Sequence, residues 1–282
     1  MKLPFEIDLK NKVAVITGAG GVLCAMFAEA IALCGAKVAL LDLNEAAAQA
    51  VADKLTAMGL TARAYKCNVL EKPSLEDCHA QILRDLGACD ILLNGAGGNN
   101  QRATTDKEFF EAGDIDAETK SFFELDADGV GFVFNLNFLG TLLPTQVFAK
   151  DMIEKPSAVI LNISSMNAYR PLTKIPAYSG AKAAVSNFTQ WLAVHFAKSG
   201  IRVNAIAPGF FVTGQNRGLL FDEDGNPTAR TGKILAATPM GRFGEAEELV
   251  GTLLWLLSDS ASGFVTGIVV PVDGGFSAYS GV

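Results

Sequence analysis

The sequence predicts one α/β domain spanning residues 1–282, a Rossmann-like, doubly wound parallel sheet of about seven strands with helices on both faces. Short apolar runs alternate with helical patterns along most of the chain. Strands separated by helices of about ten residues or more form βαβ units with right-handed crossovers. The candidate strands are uniformly apolar, which is typical of a parallel sheet covered on both faces. No break in composition and no internal repeat indicates a second domain.

The first strand and helix begin this repeating pattern. The first strand is a compact apolar run that ends at the Gly18 turn, and an Ala-rich helical segment with a single acid follows it. Gly35 then occupies the position of a helix C-cap glycine. The predicted strands are Val13–Ile16, Lys37–Leu41, Ala62–Cys67, Ile91–Leu93, Ala158–Ile163, Arg202–Ile206 and Ile268–Val272. The predicted helices are Val22–Leu33, Glu45–Met58, Leu75–Leu86, Gly131–Glu154, Ala181–Lys198 and Ala246–Leu257.

Two segments interrupt the alternation. Residues 99–128 are polar and acidic without a clear strand, and residues 210–242 contain a turn-like run from Asp222 to Pro227. Long irregular insertions in a compact domain are usually either functional or disordered. The second insertion follows the carboxyl end of a strand, where doubly wound sheets bind their ligands. We therefore expect both insertions to lie over the active site and the second to act as a lid.

Composition excludes several classes of protein. Hydrophobic residues make up 50% of the chain and charged residues 19%, which argues against intrinsic disorder. The 30 acidic and 23 basic residues give a net charge of −7 without a Lys- or Arg-rich run, so nucleic acid is not an expected partner. No uninterrupted apolar stretch reaches about 18 residues, and the N-terminus soon becomes acidic. We expect no membrane span, no signal peptide and a cytoplasmic protein.

Histidines and cysteines are too scattered to indicate a metal site. His79 and His195 lie far apart, and the five cysteines show no CxxC spacing. Structural zinc needs clustered ligands, and a disulfide framework needs paired cysteines. We therefore expect free thiols and chemistry that uses no metal.

A glycine-rich turn and an acid indicate a dinucleotide site. Thr17–Gly21 comes directly after the first strand and opens a helix, so its backbone can approach a pyrophosphate that the helix N-terminus attracts. Asp42 ends the second strand, where an acid can bind both hydroxyls of an adenosine ribose. It would repel a 2′-phosphate, and Leu43 and Asn44 offer no positive charge, so NAD is favoured over NADP. Asp42 could instead cap the following helix.

The most specific chemical signal is the spacing of Tyr178 and Lys182. Four residues apart on a helix, their side chains share one face. A free tyrosine has a pKa of about 10, and a nearby ammonium would favour its phenolate and bring the pKa toward the working range. Ser165 lies thirteen residues before Tyr178 at the end of a predicted strand, and Asn137 lies further upstream.

Taken together, the ordered motifs resemble those of the short-chain dehydrogenase/reductase family from about Leu9 to Gly275. The resemblance implies an NAD(P)-dependent oxidoreductase that acts on CH–OH groups. The motifs that carry it are Thr17-Gly18, Asp42, Asn68-Val69, Asn94-Gly95-Ala96-Gly97, Asn137, Ser165, Tyr178 with Lys182, Pro208-Gly209 with Thr213, and Val272-Asp273-Gly274-Gly275.

The resemblance implies a role for each matching residue. Tyr178 would be the general acid/base, and Lys182 would lower its pKa and bind the nicotinamide ribose. Ser165 would hydrogen-bond the reacting carbonyl oxygen, and Asn137 would hold a water in a proton relay. The residues expected to bind the cofactor are Thr17, Gly18, Gly20, Gly21, Val22, Leu23, Asp42, Asn68, Val69, Asn94, Gly95, Ala96, Gly97, Tyr178, Lys182, Pro208, Gly209 and Thr213.

The chain departs from the family pattern at four positions. Val22 and Cys24 stand where the family usually has glycine, Gly95 replaces the second Asn of the usual NNAG, and Asn68 replaces an acid. In place of the glycines usual at 22 and 24, Gly20-Gly21 could supply the close approach to the pyrophosphate. None of the four departures affects the residues expected to transfer the proton.

Longer strings resemble one branch of that family, the D-mannonate oxidoreductases (fructuronate reductases), in which NAD-linked enzymes interconvert fructuronate and mannonate. The two insertions lie where that branch has them. Branches that act on gluconate, ketogluconate or polyols share much of the pattern, so a dehydrogenase of another sugar acid or polyol stays open. The strings are Gly20–Cys24, Asn94–Asn99, Pro208–Leu220 and Pro239–Gly244.

A sugar acid would need a cation for its carboxylate and amides or hydroxyls for its hydroxyl groups. For the carboxylate we favour Arg217, then Arg170 and Arg102. Each arginine could instead pair with a surface acid. The other substrate-binding candidates near the predicted catalytic strands are Asn99, Asn100, Asn167 and Lys174.

Two further expectations concern catalysis and assembly. A dinucleotide-binding sensor without activity is the non-enzymatic alternative, but such proteins usually lose the tyrosine or the lysine, and both are present. The family resemblance also implies a homo-oligomer, a tetramer or a dimer. Leu249–Leu257 is apolar nearly all round, which suits burial against the core or against a neighbouring subunit.

Overall fold

A seven-stranded parallel sheet forms the centre of the molecule. We describe it from a computed structural model that covers residues 7–116, 118–212, 217–223 and 225–281, with the side chains of Arg217 and Leu219 excluded. The strands are β1 (Val13–Thr17), β2 (Lys37–Asp42), β3 (Ala62–Lys66), β4 (Ile91–Asn94), β5 (Ala158–Ile163), β6 (Ile201–Pro208) and β7 (Val269–Val272). They pair in parallel in the order β3-β2-β1-β4-β5-β6-β7. The predicted fold class, a single Rossmann-like domain, is confirmed.

Helices cover both faces of this sheet. Alternate residues of each strand point to opposite faces, so Ala14 and Ile16 join a core beneath one set of helices, and Val13 and Val15 join a second core beneath the other set. The α-helices are α1 (Val22–Leu33), α2 (Glu45–Ala57), α3 (Lys72–Asp85), α4 (Ala127–Phe134), α5 (Gly140–Phe148), α6 (Pro176–Phe196), α7 (Arg217–Leu220), α8 (Ala229–Ala237), α9 (Val250–Leu257) and α10 (Asp259–Ser262).

Two of the predicted helices differ most from the structure. The helix predicted from Ala181 begins at Pro176, because proline is well suited to the first helical turn, where its missing N–H is not needed. The predicted helix Gly131–Glu154 is instead a succession of α4, a π-helical turn at Asn135–Leu139, α5 and a 3₁₀ turn at Ala149–Met152. Apolar periodicity alone does not distinguish these forms.

The two insertions contain short helices that sequence periodicity did not predict. Residues 99–128 hold 3₁₀ turns at Gln101–Ala103 and Ala112–Asp116, in accordance with the absence of a clear strand. Residues 210–242 hold α7 and α8, and Thr228 caps α8 by accepting a hydrogen bond from the Thr231 N–H. Such short helices carry too few residues for a strong apolar pattern.

One helical stretch in the described part of the chain is long and apolar enough to cross a membrane by length and composition. It runs from Ala127 to Met152, and half of its most apolar window is buried inside the molecule. Val133, Val147 and Phe148 pack into the cores beside the sheet. The stretch is therefore apolar because it packs into the core of the molecule.

Candidate active site

The predicted functional residues converge at the carboxyl edge of the sheet. Thr17 ends β1, Asp42 ends β2 and Asn94 ends β4, while Ser165 lies two residues beyond β5. These strands are neighbours in the sheet. In a doubly wound fold this edge carries the ligand site, so the topology brings together motifs that are far apart in sequence.

Close backbone packing shapes the turn after β1. Gly18 has a φ of +67°, and a Cβ at this position would lie 2.9 Å from the backbone of Ala96. Thr17 supports the same contact, because its Oγ1 accepts hydrogen bonds from the N–H groups of Gly95 and Ala96 at 3.1 and 3.2 Å. Thr17 therefore positions the cleft wall without lining the cleft.

The turn leaves the start of α1 open to an anion. The helix begins after Gly21, which has no side chain to satisfy the first N–H groups. A Cβ at Gly20 would lie 2.7 Å from the Cβ of Ala47, so this position also requires glycine. A phosphate group could approach the helix N-terminus closely here.

Asp42 faces the same turn. Its Oδ2 accepts a hydrogen bond from the Gly20 N–H at 2.9 Å, and its Oδ1 accepts one from the Asn44 N–H at 2.8 Å. The cap of α2 is Asn44, whose side chain accepts from the Ala47 N–H. The alternative interpretation of Asp42 as the helix cap is therefore wrong.

A cleft of about 520 Å³ runs along this edge of the sheet. Eleven of the residues predicted to bind the cofactor line it. Asp42 is the single charged residue among the described lining residues. The lining residues are Gly18, Gly20, Gly21, Val22, Leu23, Cys24, Asp42, Leu43, Asn44, Ala47, Cys67, Asn68, Val69, Gly95, Ala96, Gly97 and Leu136.

Sequence reasoning missed several of these lining residues. Leu43 and Asn44 directly follow Asp42, Ala47 lies five residues after it, Cys67 precedes Asn68, and Leu136 precedes Asn137. Adjacency to a motif was the only signal for them. Their side chains contribute shape rather than charge to the cleft.

Asn68 makes local contacts that explain how an amide can replace the acid usual at this position. Its Nδ2 donates to Glu71 Oε1 at 2.8 Å, and its Oδ1 accepts from the Leu70 N–H at 3.1 Å. The side chain therefore closes the turn between β3 and α3. A carboxylate at this position would be close to the carboxylate of Glu71.

Asn94 is oriented away from the cleft. Its Nδ2 donates to Asn162 Oδ1 at 2.9 Å and to Thr145 Oγ1 at 3.1 Å. The side chain is 1% exposed. Asn94 thus links β4 to β5 and α5, and the wall of the cleft is formed by the three residues that follow it.

Tyr178 and Lys182 lie one turn apart near the start of α6. The Lys182 Nζ lies 5.7 Å from the centroid of the Tyr178 ring and donates to the carbonyl oxygen of Ile163 at 2.8 Å. Lys182 is buried. The Ser165 hydroxyl is close enough to Tyr178 to lower the pKa of its phenol, so the predicted serine, tyrosine and lysine form one cluster.

Burial perturbs the pKa values of both titratable groups in this cluster. It raises the pKa of Tyr178 above its ordinary value of 10, and the hydrogen bond from Ser165 opposes this shift. Burial also lowers the pKa of Lys182 to about 8, against a smaller opposing effect of Cys24. Tyr178 is therefore a protonated donor at neutral pH, and Lys182 loses charge as the pH rises through 8.

Asn137 lies in the π-helical turn Asn135–Leu139, a form often found at functional sites. Its Nδ2 donates to the carbonyl oxygens of Gly98 and Val133, both at 2.8 Å. A Cβ at Gly97 would lie 2.6 Å from Asn137 Oδ1 and 3.1 Å from Lys182 Nζ. Asn137 Oδ1 and Lys182 Nζ therefore both face the space that a side chain at Gly97 would fill, and the proton-relay role of Asn137 stays a prediction.

Pro208 and Gly209 lie at the end of β6. The Gly209 N–H donates to the Val272 carbonyl oxygen at 2.9 Å, and a Cβ at Gly209 would lie 2.6 Å from the Cα of Asp273. Gly209 therefore permits close packing of the C-terminal turn. Thr213 lies outside the described residues, so its predicted contact with the cofactor stays a prediction.

Several of the predicted substrate residues already have protein partners. Arg102 pairs with Asp126 at 2.7 Å, and the Arg170 Nε donates to the Ser277 carbonyl oxygen at 3.2 Å. Asn99 is exposed and donates to Thr104 Oγ1 at 2.9 Å. The side chain of Arg217 lies outside the described part of the molecule.

The two insertions contact one another and the loop before α6. Lys233 of α8 pairs with Glu108 of the first insertion at 2.8 Å. The Thr105 N–H donates to the carbonyl oxygen of Lys174 at 2.9 Å. The first insertion therefore bridges the second insertion and the segment that leads to Tyr178.

Comparison with known proteins agrees with this arrangement. A family model described as enoyl-(acyl carrier protein) reductase matches residues 21–277. An uncharacterized oxidoreductase of Haemophilus influenzae is 61% identical over 282 residues, covering 100% of this chain and 99% of the relative. The chain belongs to the short-chain dehydrogenase/reductase family, as its motifs predicted.

Two solved structures are informative about this site. A Haemophilus influenza protein provisionally named D-mannonate oxidoreductase, with bound NAD, is 62% identical with a TM-score of 0.95, covering 98% of each chain. A gluconate 5-dehydrogenase from Burkholderia cenocepacia J2315, in complex with NADP and tartrate, is 30% identical with a TM-score of 0.82, covering 97% of this chain and 98% of that one.

Two departures from the family pattern are in contact with each other. A Cβ at Gly95 would overlap the Sγ of Cys24. Gly95→Ala should therefore destabilise the protein by roughly 1–3 kcal/mol, and adding Cys24→Ala should recover part of the loss. Recovery should be incomplete, because the new Cβ would also lie 2.9 Å from the Thr17 carbonyl oxygen. Urea unfolding of both single variants and the double variant measures the coupling.

The matched control is Cys34→Ala, which removes a thiol from the other end of the same helix. This change should not relieve Gly95→Ala. Additive effects of Cys24→Ala and Gly95→Ala would show that the two positions are independent and contradict the interpretation.

Proposed function

We propose that this protein is an NAD-dependent oxidoreductase that interconverts D-fructuronate and D-mannonate, with Tyr178 as the general acid/base. The observation that carries the proposal is the Ser165–Tyr178–Lys182 cluster beside a cleft whose one described charged lining residue is Asp42. The provisional name of the 62% identical Haemophilus structure supports the choice of substrate.

The described residues fit NAD. Glycines at 18, 20 and 21 leave room for a pyrophosphate at the start of α1. Each oxygen of Asp42 already accepts one backbone hydrogen bond, and each keeps a lone pair for a ribose hydroxyl. A 2′-phosphate would meet this carboxylate without a compensating cation among the described lining residues.

The bound cofactor would supply hydride as NADH during ketone reduction and would accept it as NAD⁺ during alcohol oxidation. Tyr178 donates its hydroxyl proton to the carbonyl oxygen of fructuronate during reduction, and its phenolate accepts the proton from the hydroxyl of mannonate in reverse. Ser165 donates a hydrogen bond to the same substrate oxygen. Lys182 stabilises the phenolate through its charge, and Asn137 connects this site to solvent protons through a bound water.

Lys174 offers a better-supported cation for the substrate carboxylate than Arg102 or Arg170. It lies four residues before Tyr178, in the left-handed region with a φ of +65°, which is uncommon for a side chain of this size. Its amino group has no ion pair within the described part of the chain, and nearby Glu108 is held by Lys233. Arg217 stays a second candidate for this role.

A dehydrogenase of another sugar acid, of the gluconate type, is the alternative activity. The Burkholderia gluconate 5-dehydrogenase, a structure with bound NADP and tartrate, supports this alternative. Both reactions would use the same proton donor and differ in the residues that contact the substrate. A catalytically silent sensor is disfavoured, because the chain keeps the full serine, tyrosine and lysine cluster.

The decisive experiment is a spectrophotometric screen of hexuronates, keto-sugar acids and polyols with NADH and NADPH in parallel. We expect fructuronate reduction with NADH, and at least about a 10-fold lower kcat/KM with NADPH because of Asp42.

Tyr178→Phe should lower kcat by about 10²- to 10⁴-fold with little change in NADH affinity. Tyr65→Phe, far from the cluster on β3, is the matched control.

Fructuronate activity that survives in Tyr178→Phe would contradict the mechanism. Turnover of gluconate or a polyol with no turnover of fructuronate would support the alternative substrate class. Binding of NADH without turnover of any compound would favour the sensor.

The pH dependence of ketone reduction tests the role of Lys182. Because burial raises the pKa of Tyr178 and lowers that of Lys182 to about 8, the tyrosine keeps its proton while the lysine loses its charge. The kcat/KM for reduction should therefore be level below pH 8 and fall above it. Lys182→Met should be slower at every pH and lack this decline. An unchanged decline in Lys182→Met would assign it to another group.

We further propose that the protein is a cytoplasmic homo-oligomer, a tetramer or a dimer. Phe132 on α4 and Trp191 and Val194 on α6 are exposed apolar side chains on long helices, and exposed patches of this kind often mark interfaces between subunits. Light scattering coupled to size-exclusion chromatography should give a multiple of 29.7 kDa. A mass of one chain at assay concentrations would contradict this proposal.

A further inference from the structure

We propose that Asn167 determines specificity by binding a hydroxyl group of the substrate, on the carbon next to the reacting carbon. This inference rests on the proposed function, because it assumes that the Ser165–Tyr178 cluster reduces a hydroxy-ketone. Several amides lie near this cluster, and Asn167 is the one to which this contact with the hydroxyl is assigned.

The first observation is an unsatisfied polar atom. Asn167 is 4% exposed, and its Oδ1 is buried without a hydrogen-bond partner. No hydrogen bond from its side chain occurs within the described ranges. Nearly all buried side-chain oxygens in folded proteins have a partner, and leaving one unpaired is costly. A stable buried acceptor of this kind calls for a donor that the folded chain itself does not supply.

The second observation is its position beside the reactive serine. The backbone N–H of Asn167 donates to Ser165 Oγ at 3.2 Å, which closes the 3₁₀ turn Met166–Ala168. The same serine lies close to Tyr178, since its hydroxyl lowers the pKa of that phenol. A substrate oxygen held by Ser165 and Tyr178 would therefore be bound directly beside the turn that carries Asn167.

A second buried oxygen without a partner provides a contrast. Asn94 Oδ1 is also unpaired, but the Asn94 amide nitrogen is held by Asn162 and Thr145. The position of Asn94 is therefore explained by links between β4, β5 and α5. For Asn167 the described residues provide no such structural explanation.

The chemistry of the proposed substrate matches the unpaired oxygen. A keto-sugar acid carries a hydroxyl on a carbon adjacent to its ketone, and that hydroxyl can donate to Oδ1 while accepting from Nδ2. A site built to bind a hydroxyl discriminates strongly against an analogue without it, because its own polar group is then left unpaired. Asn167 would thus select hydroxy-ketones over simple ketones.

The test compares wild type with Asn167→Leu on two substrates, the hydroxy-ketone that the screen identifies and its analogue lacking the adjacent hydroxyl. For the hydroxy-ketone, kcat/KM should fall roughly 10- to 100-fold in the variant, mainly through KM. For the deoxy analogue the two proteins should be similar, and NADH affinity should be unchanged. Gln81→Leu, an exposed amide on α3, is the matched control.

Thermal unfolding of the substrate-free protein separates this role from a structural one. Asn167→Leu should unfold at the same or a higher Tm, because it removes an unpaired buried acceptor. A Tm lower by more than about 5 °C would indicate a structural role and overturn the inference. Equal losses on both substrates would also overturn it.

The two proposals fail in different ways. If gluconate-type ketones are reduced and fructuronate is not, the proposed substrate is wrong, and the same comparison on the active ketone still tests Asn167. If no ketone is reduced, the proposed function is wrong and the inference about Asn167 is withdrawn with it.

Discussion

The candidate active site depends on a series of hydrogen bonds that hold the end of β5 against α6. Three successive residues at this strand end are each hydrogen-bonded to the helix, and their partners on α6 are spaced about one helical turn apart. Because most of these groups are buried, their hydrogen bonds lie in a low local dielectric and hold the two elements firmly. The pairs are Asn162 with Thr189 at 2.9 Å, Ile163 with Lys182 at 2.8 Å, and Ser164 with Ser186 at 2.7 Å.

Ser165 and Tyr178 inherit their geometry from this contact. Ser165 is the next residue of the chain after the bonded strand end, and Tyr178 lies one turn before Lys182 on the bonded helix. Catalytic groups lose much of their effect when displaced by about 1 Å. The ionic character of Lys182 follows from the same contact, because the burial that packs α6 on β5 also lowers its pKa to about 8.

Sequence reasoning predicted the parts of this site that depend on local pattern. The strand ends, the glycine turn and the Tyr178–Lys182 spacing follow from periodicity and from residue type, and the structure brings them to one edge of the sheet. It did not predict the start of α6 at Pro176 or the π-helical turn around Asn137. Apolar periodicity marks a helix but does not fix its first turn or reveal one extra residue in a turn.

Contacts between distant residues were the other limit. Cys24 and Gly95 were each recognised as departures from a family pattern, but only the fold shows that the Sγ of Cys24 fills the space beside Gly95. Likewise, a count of charges cannot tell which arginine is free. Arg102 is not free, because it forms an ion pair with Asp126, and Asp126 also caps α4.

The acidic composition explains why recognition of an anionic substrate is difficult to read from sequence. The chain has 30 acids and 23 bases, and several of its cations are already paired with a carboxylate, among them Arg102, Lys233 and Arg242. A cation also remains available where another positive group has already engaged its acidic neighbour. Lys233 does this for Glu108, which leaves Lys174 beside the segment that leads to Tyr178. Selectivity for a sugar acid would then depend on the ammonium of Lys174 and on the neutral amide of Asn167, rather than on a cluster of arginines.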